Sequence, residues 1–149
     1  RRAGGLAVQI DPPHRLVVDL VQFPLAAPRQ VVPSQLVPAL QARLGVVEDA
    51  RGSAHAVRDK SFLMAGKTGT AQIPTPYGHY DFNQTNASFI GWGPVDDPRF
   101  MVYVWLEKPS ASIWGSETAA PTFSRVVQRL VVLLDIPPDP VRFQAATGP

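Results

Sequence analysis

Lys67-Thr68-Gly69-Thr70 sets a lone cation, a hydroxyl, a glycine and a second hydroxyl in consecutive positions. The apolar run Phe62-Leu63-Met64-Ala65-Gly66 leads into them, and Ala71-Gln72 follows. That order suits a strand that lays its backbone and one positive charge along an acidic substrate. Gly66 and Gly69 flank the lysine and allow a ligand or another backbone to approach closely. A lysine in such a strand either reaches an anion or costs stability. With the Thr68 hydroxyl and the edge N–H groups of Gly69-Thr70, it could bind a carboxylate and polarise a carbonyl. The plainer alternative is an edge strand whose lysine guards against aggregation. Taken alone the tripeptide favours that alternative, because three-residue patterns recur by chance.

Other chemistry-bearing residues point less far. His14, His55 and His79 lack metal-ligand spacing, so neither a metal site nor a cofactor is expected. Asp96-Asp97 precedes Pro98, which favours a tight turn over a pair of working acids. Trp92 and Trp105 fall in apolar strand patterns and are expected in the core. Trp114 lies in a polar loop and is the tryptophan free to face a cleft.

The elements that must position these residues follow from pattern and punctuation. Sixteen prolines mark the chain. Residues 1–32 read as an irregular, proline-rich lead-in with one short extended piece at Leu16-Val17-Val18-Asp19-Leu20-Val21. Ser34 caps an expected helix through about Leu44, on which Leu36, Val37, Leu40 and Leu44 recur, and Glu48 to Ser53 forms a turn. Three strands follow: Phe62 to Ile73, Asn86 to Gly93 and Phe100 to Leu106. Pro74 to Thr85 is expected as a loop, and Val95 to Arg99 as the turn of an antiparallel hairpin. The third strand is apolar on both faces and therefore central or covered. After the polar loop Glu107 to Glu117, a helix is expected from about Ala119 to Leu134, with Pro121 in its first turn. Phe123, Val126, Val127, Leu130, Val131 and Leu134 make its apolar face. Such a face needs a sheet to cover. Ile136-Pro137-Pro138-Asp139-Pro140 ends the helix, and 139–149 reads as a loose tail.

Composition sets the outer bounds. The 149 residues carry 45% apolar and 17% charged residues, which describes one globular domain with a real core. The net charge is +2, and the three lysines and eleven arginines form no basic stripe, so nucleic acid is not an expected partner. The absence of cysteine excludes disulfides and thiolate metal sites. No apolar run approaches the ~18 residues a membrane span needs. The opening Arg1-Arg2-Ala3-Gly4-Gly5, with no initiator Met, reads as the inside of a longer protein.

Ala65 to Gln72, then Asn86-Ala87-Ser88-Phe89-Ile90-Gly91-Trp92-Gly93-Pro94, then Asp97-Pro98-Arg99-Phe100 and an apolar strand, together resemble the C-terminal part of a penicillin-binding protein. The likeness is to the transpeptidase domain of the class B, monofunctional kind. It continues through Gly115 to Pro121 and Leu133-Leu134-Asp135-Ile136-Pro137-Pro138, and upstream through Val31-Val32-Pro33-Ser34 to Glu48. It is thinner at Ala3-Gly4-Gly5 and Pro12 to Val17. The resemblance implies an α/β fold of α+β type: an antiparallel sheet with covering helices, forming the second half of a domain like those of penicillin-binding proteins and serine β-lactamases.

The same resemblance implies a serine acyltransferase that cross-links peptidoglycan stem peptides and is acylated by β-lactams. Lys67 would sit near the substrate carboxylate and Thr68 would hydrogen-bond it. Gly69 would permit close approach, and the Thr70 backbone N–H would be one of two oxyanion donors. Trp114 joins the substrate-binding candidates. Implied partners are the stem peptide, β-lactam antibiotics, the N-terminal half of a parent protein and a cell-wall synthesis complex. The implied location is the extracytoplasmic face of a bacterial cell membrane, anchored through a segment before Arg1.

None of Ser34, Ser53, Ser61, Ser88, Ser110, Ser112, Ser116 and Ser124 has lysine three places on, and no Ser-x-Asn occurs. In the family both motifs precede Lys-Thr-Gly. This chain by itself is therefore expected to be inactive, since positioning groups without a nucleophile leave only residual catalysis. Two classes stay open: a piece of a serine transpeptidase, or a non-catalytic binding module that keeps half of the fold.

Overall fold

The computed structural model of this chain describes residues 15–22, 57, 59 and 61–146. The expected helix at Ser34 to Leu44, the turn at Glu48 to Ser53 and most of the proline-rich lead-in lie outside the described residues. The elements are β1 Arg15–Gln22, β2 Ala65–Pro74, β3 Tyr80–Gly93, β4 Phe100–Glu107, α1 Ala119–Leu133 and α2 Asp139–Ala146. The four strands form one antiparallel sheet in the order β1-β4-β3-β2. The expected fold class therefore holds, with β4 inside the sheet as its double-sided apolar pattern requires.

Register sorts the side chains into two faces, because directly opposed residues in antiparallel strands point the same way. One face carries Gly66, Gly91, Val102 and Leu20 in one row, and Thr68, Phe89, Val104 and Val18 in the next. Helix α1 packs on this face against β3 and β4. It buries Phe123, Val127, Leu130 and Val131 with Phe89, Phe100, Val102 and Val104. The rings of Phe89 and Phe123 meet at 4.7 Å and 56°, a tilted arrangement favoured by their quadrupoles. Gly91 lies under Phe123: a Cβ there would come within 2.6 Å of the Phe123 ring. The second face carries Lys67, Ile90, Tyr103 and Asp19 in one row, flanked by Trp92 with Met101 and by Ser88 with Trp105.

Three expectations change. Trp92 and Trp105 are half-buried and lie outside the core, because they fall on the strand positions that alternate with the α1-covered ones. The segment Tyr80 to Thr85 is strand, not loop; only Thr75 to His79 turns. There Thr75 N–H donates to His79 O at 2.7 Å and Gly78 takes φ 80, a value that glycine adopts without a Cβ penalty. Residues 139–146 form α2 instead of a loose tail. Asp139 in its first turn and Pro140 just behind favour a helix start.

Candidate functional site

Among the described residues β2 is an edge strand of the sheet, and it brings Lys67, Thr68, Gly69 and Thr70 together along that edge. Lys67 is exposed, and its Nζ donates to the Thr68 carbonyl at 2.8 Å. It stands on the second face, opposite Ile90. Thr68 is half-buried and stands opposite Phe89 on the α1 side. The four residues thus present a charge to one side of the strand and hydroxyls to the other, with main-chain groups along its outer edge.

Close packing limits what this strand can carry at its glycines. A Cβ at Gly66 would lie 2.5 Å from the Phe89 ring and 2.7 Å from the Ile90 carbonyl. A Cβ at Gly69 would lie 2.5 Å from Ser88 Oγ. Gly66 is therefore required by its neighbours in the sheet, before any ligand is considered, whereas at Gly69 the obstacle is a single serine hydroxyl that can turn aside.

The loop between β4 and α1 is fastened to the middle of this strand. Gly115 N–H donates to Thr70 Oγ1 at 3.1 Å, so the Thr70 side chain holds the loop while its backbone belongs to the strand. A Cβ on Gly115 would collide with the carbonyls of Gly69 and Ser88. Behind it, buried Thr85 donates from Oγ1 to the Ile113 carbonyl at 2.7 Å, and its own carbonyl accepts from Lys108 N–H at 2.9 Å. The Trp114 carbonyl accepts from Thr118 Oγ1 at 2.8 Å and from two backbone N–H groups. These bonds fix Trp114 next to Gly115 with its side chain 54% exposed. Lys67, Thr68, Gly69 and Thr70 therefore line the middle of β2, and the Gly115–Thr70 bond brings the loop that carries Trp114 to the same strand.

Sequence reasoning missed the fastenings, Thr85 and Gly115, and a separate cluster just before the start of β2. There Leu63 N–H donates to Asp139 Oδ2 at 2.5 Å, and Arg142 Nη2 reaches Asp96 at 2.5 Å and Asp139 at 2.7 Å. Asp96 was expected only as a turn residue; it is one, and it also pairs with Arg142. The signal for the cluster was weak: an Asp-Pro helix start and an arginine three residues later. His79 is exposed at the hairpin turn, and His14 and His55 lie outside the described residues. Among the described residues no group of three His, Cys, Asp or Glu side chains could hold a metal ion, and no helix is long and apolar enough to cross a membrane.

Residues 18–128 match the family model "Penicillin binding protein transpeptidase domain". The chain is 34% identical over 113 residues to the probable peptidoglycan D,D-transpeptidase PbpC of Pseudomonas aeruginosa, covering 74% of this chain and 20% of that protein. It is 32% identical over 130 residues to the stage V sporulation protein D of Bacillus subtilis, covering 87% and 20%. Among solved structures, the transpeptidase domain of Burkholderia pseudomallei penicillin-binding protein 3 matches with a TM-score of 0.58 and 28% identity, over 67% of this chain and 30% of that one. Penicillin-binding protein 3 of Mycobacterium tuberculosis, complexed with ampicillin, matches at 0.53 and 29%, over 60% and 20%. The chain spans about a fifth of the length of the curated relatives it matches.

Proposed function

Because this chain belongs to the penicillin-binding protein transpeptidase domain family, we propose that it supplies the substrate-facing wall of a serine D,D-transpeptidase. The observation that carries the reading is the open edge of β2, with exposed Lys67 and with Thr70 fastening the loop that holds Trp114. A peptide ending in D-Ala-D-Ala lies along this edge. Lys67 attracts its terminal carboxylate and the Thr68 hydroxyl donates to the same group. The Thr70 backbone N–H is one of two donors to the oxyanion of the tetrahedral intermediate. Gly69 lets the peptide approach the strand, and Trp114 offers an aromatic surface to its apolar part.

The serine that completes the reaction belongs to sequence outside these 149 residues. Its Oγ attacks the penultimate D-Ala carbonyl, the terminal D-Ala departs with the proton as a free amine, and an amine of a neighbouring strand resolves the ester. β-Lactams present a carboxylate beside a reactive carbonyl and use the same wall. Relatives solved with ampicillin and with aztreonam support this reading. The working location is the outer face of a bacterial cell membrane, within the assembly that builds the wall.

The test has two arms. Fluorescent penicillin should leave this chain unlabelled on a denaturing gel, and should label the product of the gene extended upstream of Arg1. That upstream sequence should hold Ser-x-x-Lys and then Ser-x-Asn. An initiation codon close to Arg1 with no such motifs would overturn the acyltransfer reading and leave a non-catalytic module with half of the fold. A labelled band from the 149 residues alone would overturn the division of labour.

A further inference from the structure

We propose that Asp139 and Arg142 of α2 are positioning residues for the strand that carries Lys67. The inference rests on the reading of β2 as the substrate wall. Leu63, two residues before β2, is held on both sides. Its N–H donates to Asp139 Oδ2 at 2.5 Å, and its carbonyl accepts from Val95 N–H at 2.9 Å. Asp139 N–H in turn donates to the Ser61 carbonyl at 2.8 Å. Ser61 N–H donates to Asp59 Oδ1 at 2.7 Å. One aspartate thus receives and donates across the lead-in to the strand. Arg142 Nη2 bridges Asp139 Oδ1 at 2.7 Å and Asp96 Oδ1 at 2.5 Å, which ties α2 to the β3–β4 turn as well.

The segment between this clamp and Lys67 transmits displacement instead of absorbing it. Met64, Ala65 and Gly66 are buried. Gly66 has no room for even one added carbon, with the Phe89 ring on one side and the Ile90 carbonyl on the other. At roughly 3.3 Å per residue, Lys67 lies only about 13 Å along the chain from Leu63. Side chains alternate with a period of two, so a slip or rotation of the lead-in reaches Lys67 and Thr68 as a change of facing. The clamp lies just before the start of β2 and the Gly115–Thr70 bond lies at mid-strand, so Lys67 and Thr68 stand between two fastenings. α2 therefore sets the substrate wall through the lead-in to β2.

The experiment uses backbone amide spectra and hydrogen exchange of the 149-residue chain. Asp139→Leu should speed exchange at Leu63 by about tenfold or more and shift the resonances of Gly66 to Thr70. Exchange at Phe123, Val127 and Leu130 in α1 should stay as it was. Asp139→Asn keeps an acceptor for Leu63 N–H and should restore both signals, while Arg142→Met should move them in the direction of the leucine variant. Resonances of Gly66 to Thr70 that stay fixed while Leu63 loses protection would overturn the proposal. So would equal loss of protection in α1, which would make Asp139 a general stability residue. Neither readout involves turnover, so failure of penicillin labelling and failure of this proposal are separate results.

Discussion

Lys67 and Asp139 show how one strand can be served by two charges in opposite circumstances. Lys67 stands in water with its ammonium on the neighbouring Thr68 carbonyl, and its charge stays available to a ligand. Asp139 is buried, and burial pushes its carboxyl above the ordinary carboxylate range, against the Leu63 N–H and the Arg142 guanidinium, which pull it down. The folded chain therefore holds this proton more tightly than the unfolded chain. The contribution of Asp139 to stability is complete below the ordinary aspartate pKa and is lost as pH rises through its raised folded value. Asp139→Asn cannot titrate. In denaturant melts between about pH 3 and pH 7, the asparagine variant should gain stability relative to the native chain as pH rises. A native chain that gains on the variant instead would mean that pairing with Arg142 outweighs burial. Of these two residues only Lys67 was legible in the sequence, because its chemistry is written in adjacent letters. Asp139 meets Leu63 across 76 positions, a contact that no local pattern encodes.

At the level of elements, periodicity revealed what one covered face requires and little else. The strands from Ala65, Asn86 and Phe100, their antiparallel order and helix α1 were all readable, since α1 and the sheet bury alternating or helically spaced apolar residues. The outer part of β3 was not. Asp81, Asn83 and Gln84 are polar, and Tyr80 and Phe82 are exposed, so pairing with β2 there leaves no apolar alternation. Helix α2 was hidden similarly, since Val141 and Phe143 remain exposed and no apolar stripe marks it. The α1–sheet contact rests on close approach at Gly91, where an added Cβ would lie 2.6 Å from Phe123 and 2.9 Å from Phe89. Both obstacles are fully buried rings with nowhere to move. Gly91→Ala should therefore cost about 1–3 kcal/mol in urea unfolding. A change within about 0.5 kcal/mol would show that the rings give way more easily than their packing suggests.

For the molecule as a whole, the decisive asymmetry is between the two faces of the sheet. One is covered by α1 where β3 and β4 run. On the other, Met101, Trp92, Tyr103 and Trp105 are half-buried, and Ile90 and Val21 are 38% and 39% exposed. Lys67 shares that face, so the charge of the candidate site lies beside the incompletely covered apolar surface. The isolated chain should bind an apolar fluorescent dye and should associate as its concentration rises. Clean two-state melting with no dye signal would show the face already protected. The sheet order carries one more consequence, for how the structure forms. β2, β3 and β4 are joined as successive hairpins, while β1 enters only through β4, with Leu16 opposite Leu106. Hairpins close in roughly 1–10 μs, whereas the β1–β4 pairing must first meet the entropy of a much longer loop. The strands next to the site can therefore assemble as a nucleus of local contacts, with β1 docking last as the slow, non-local step.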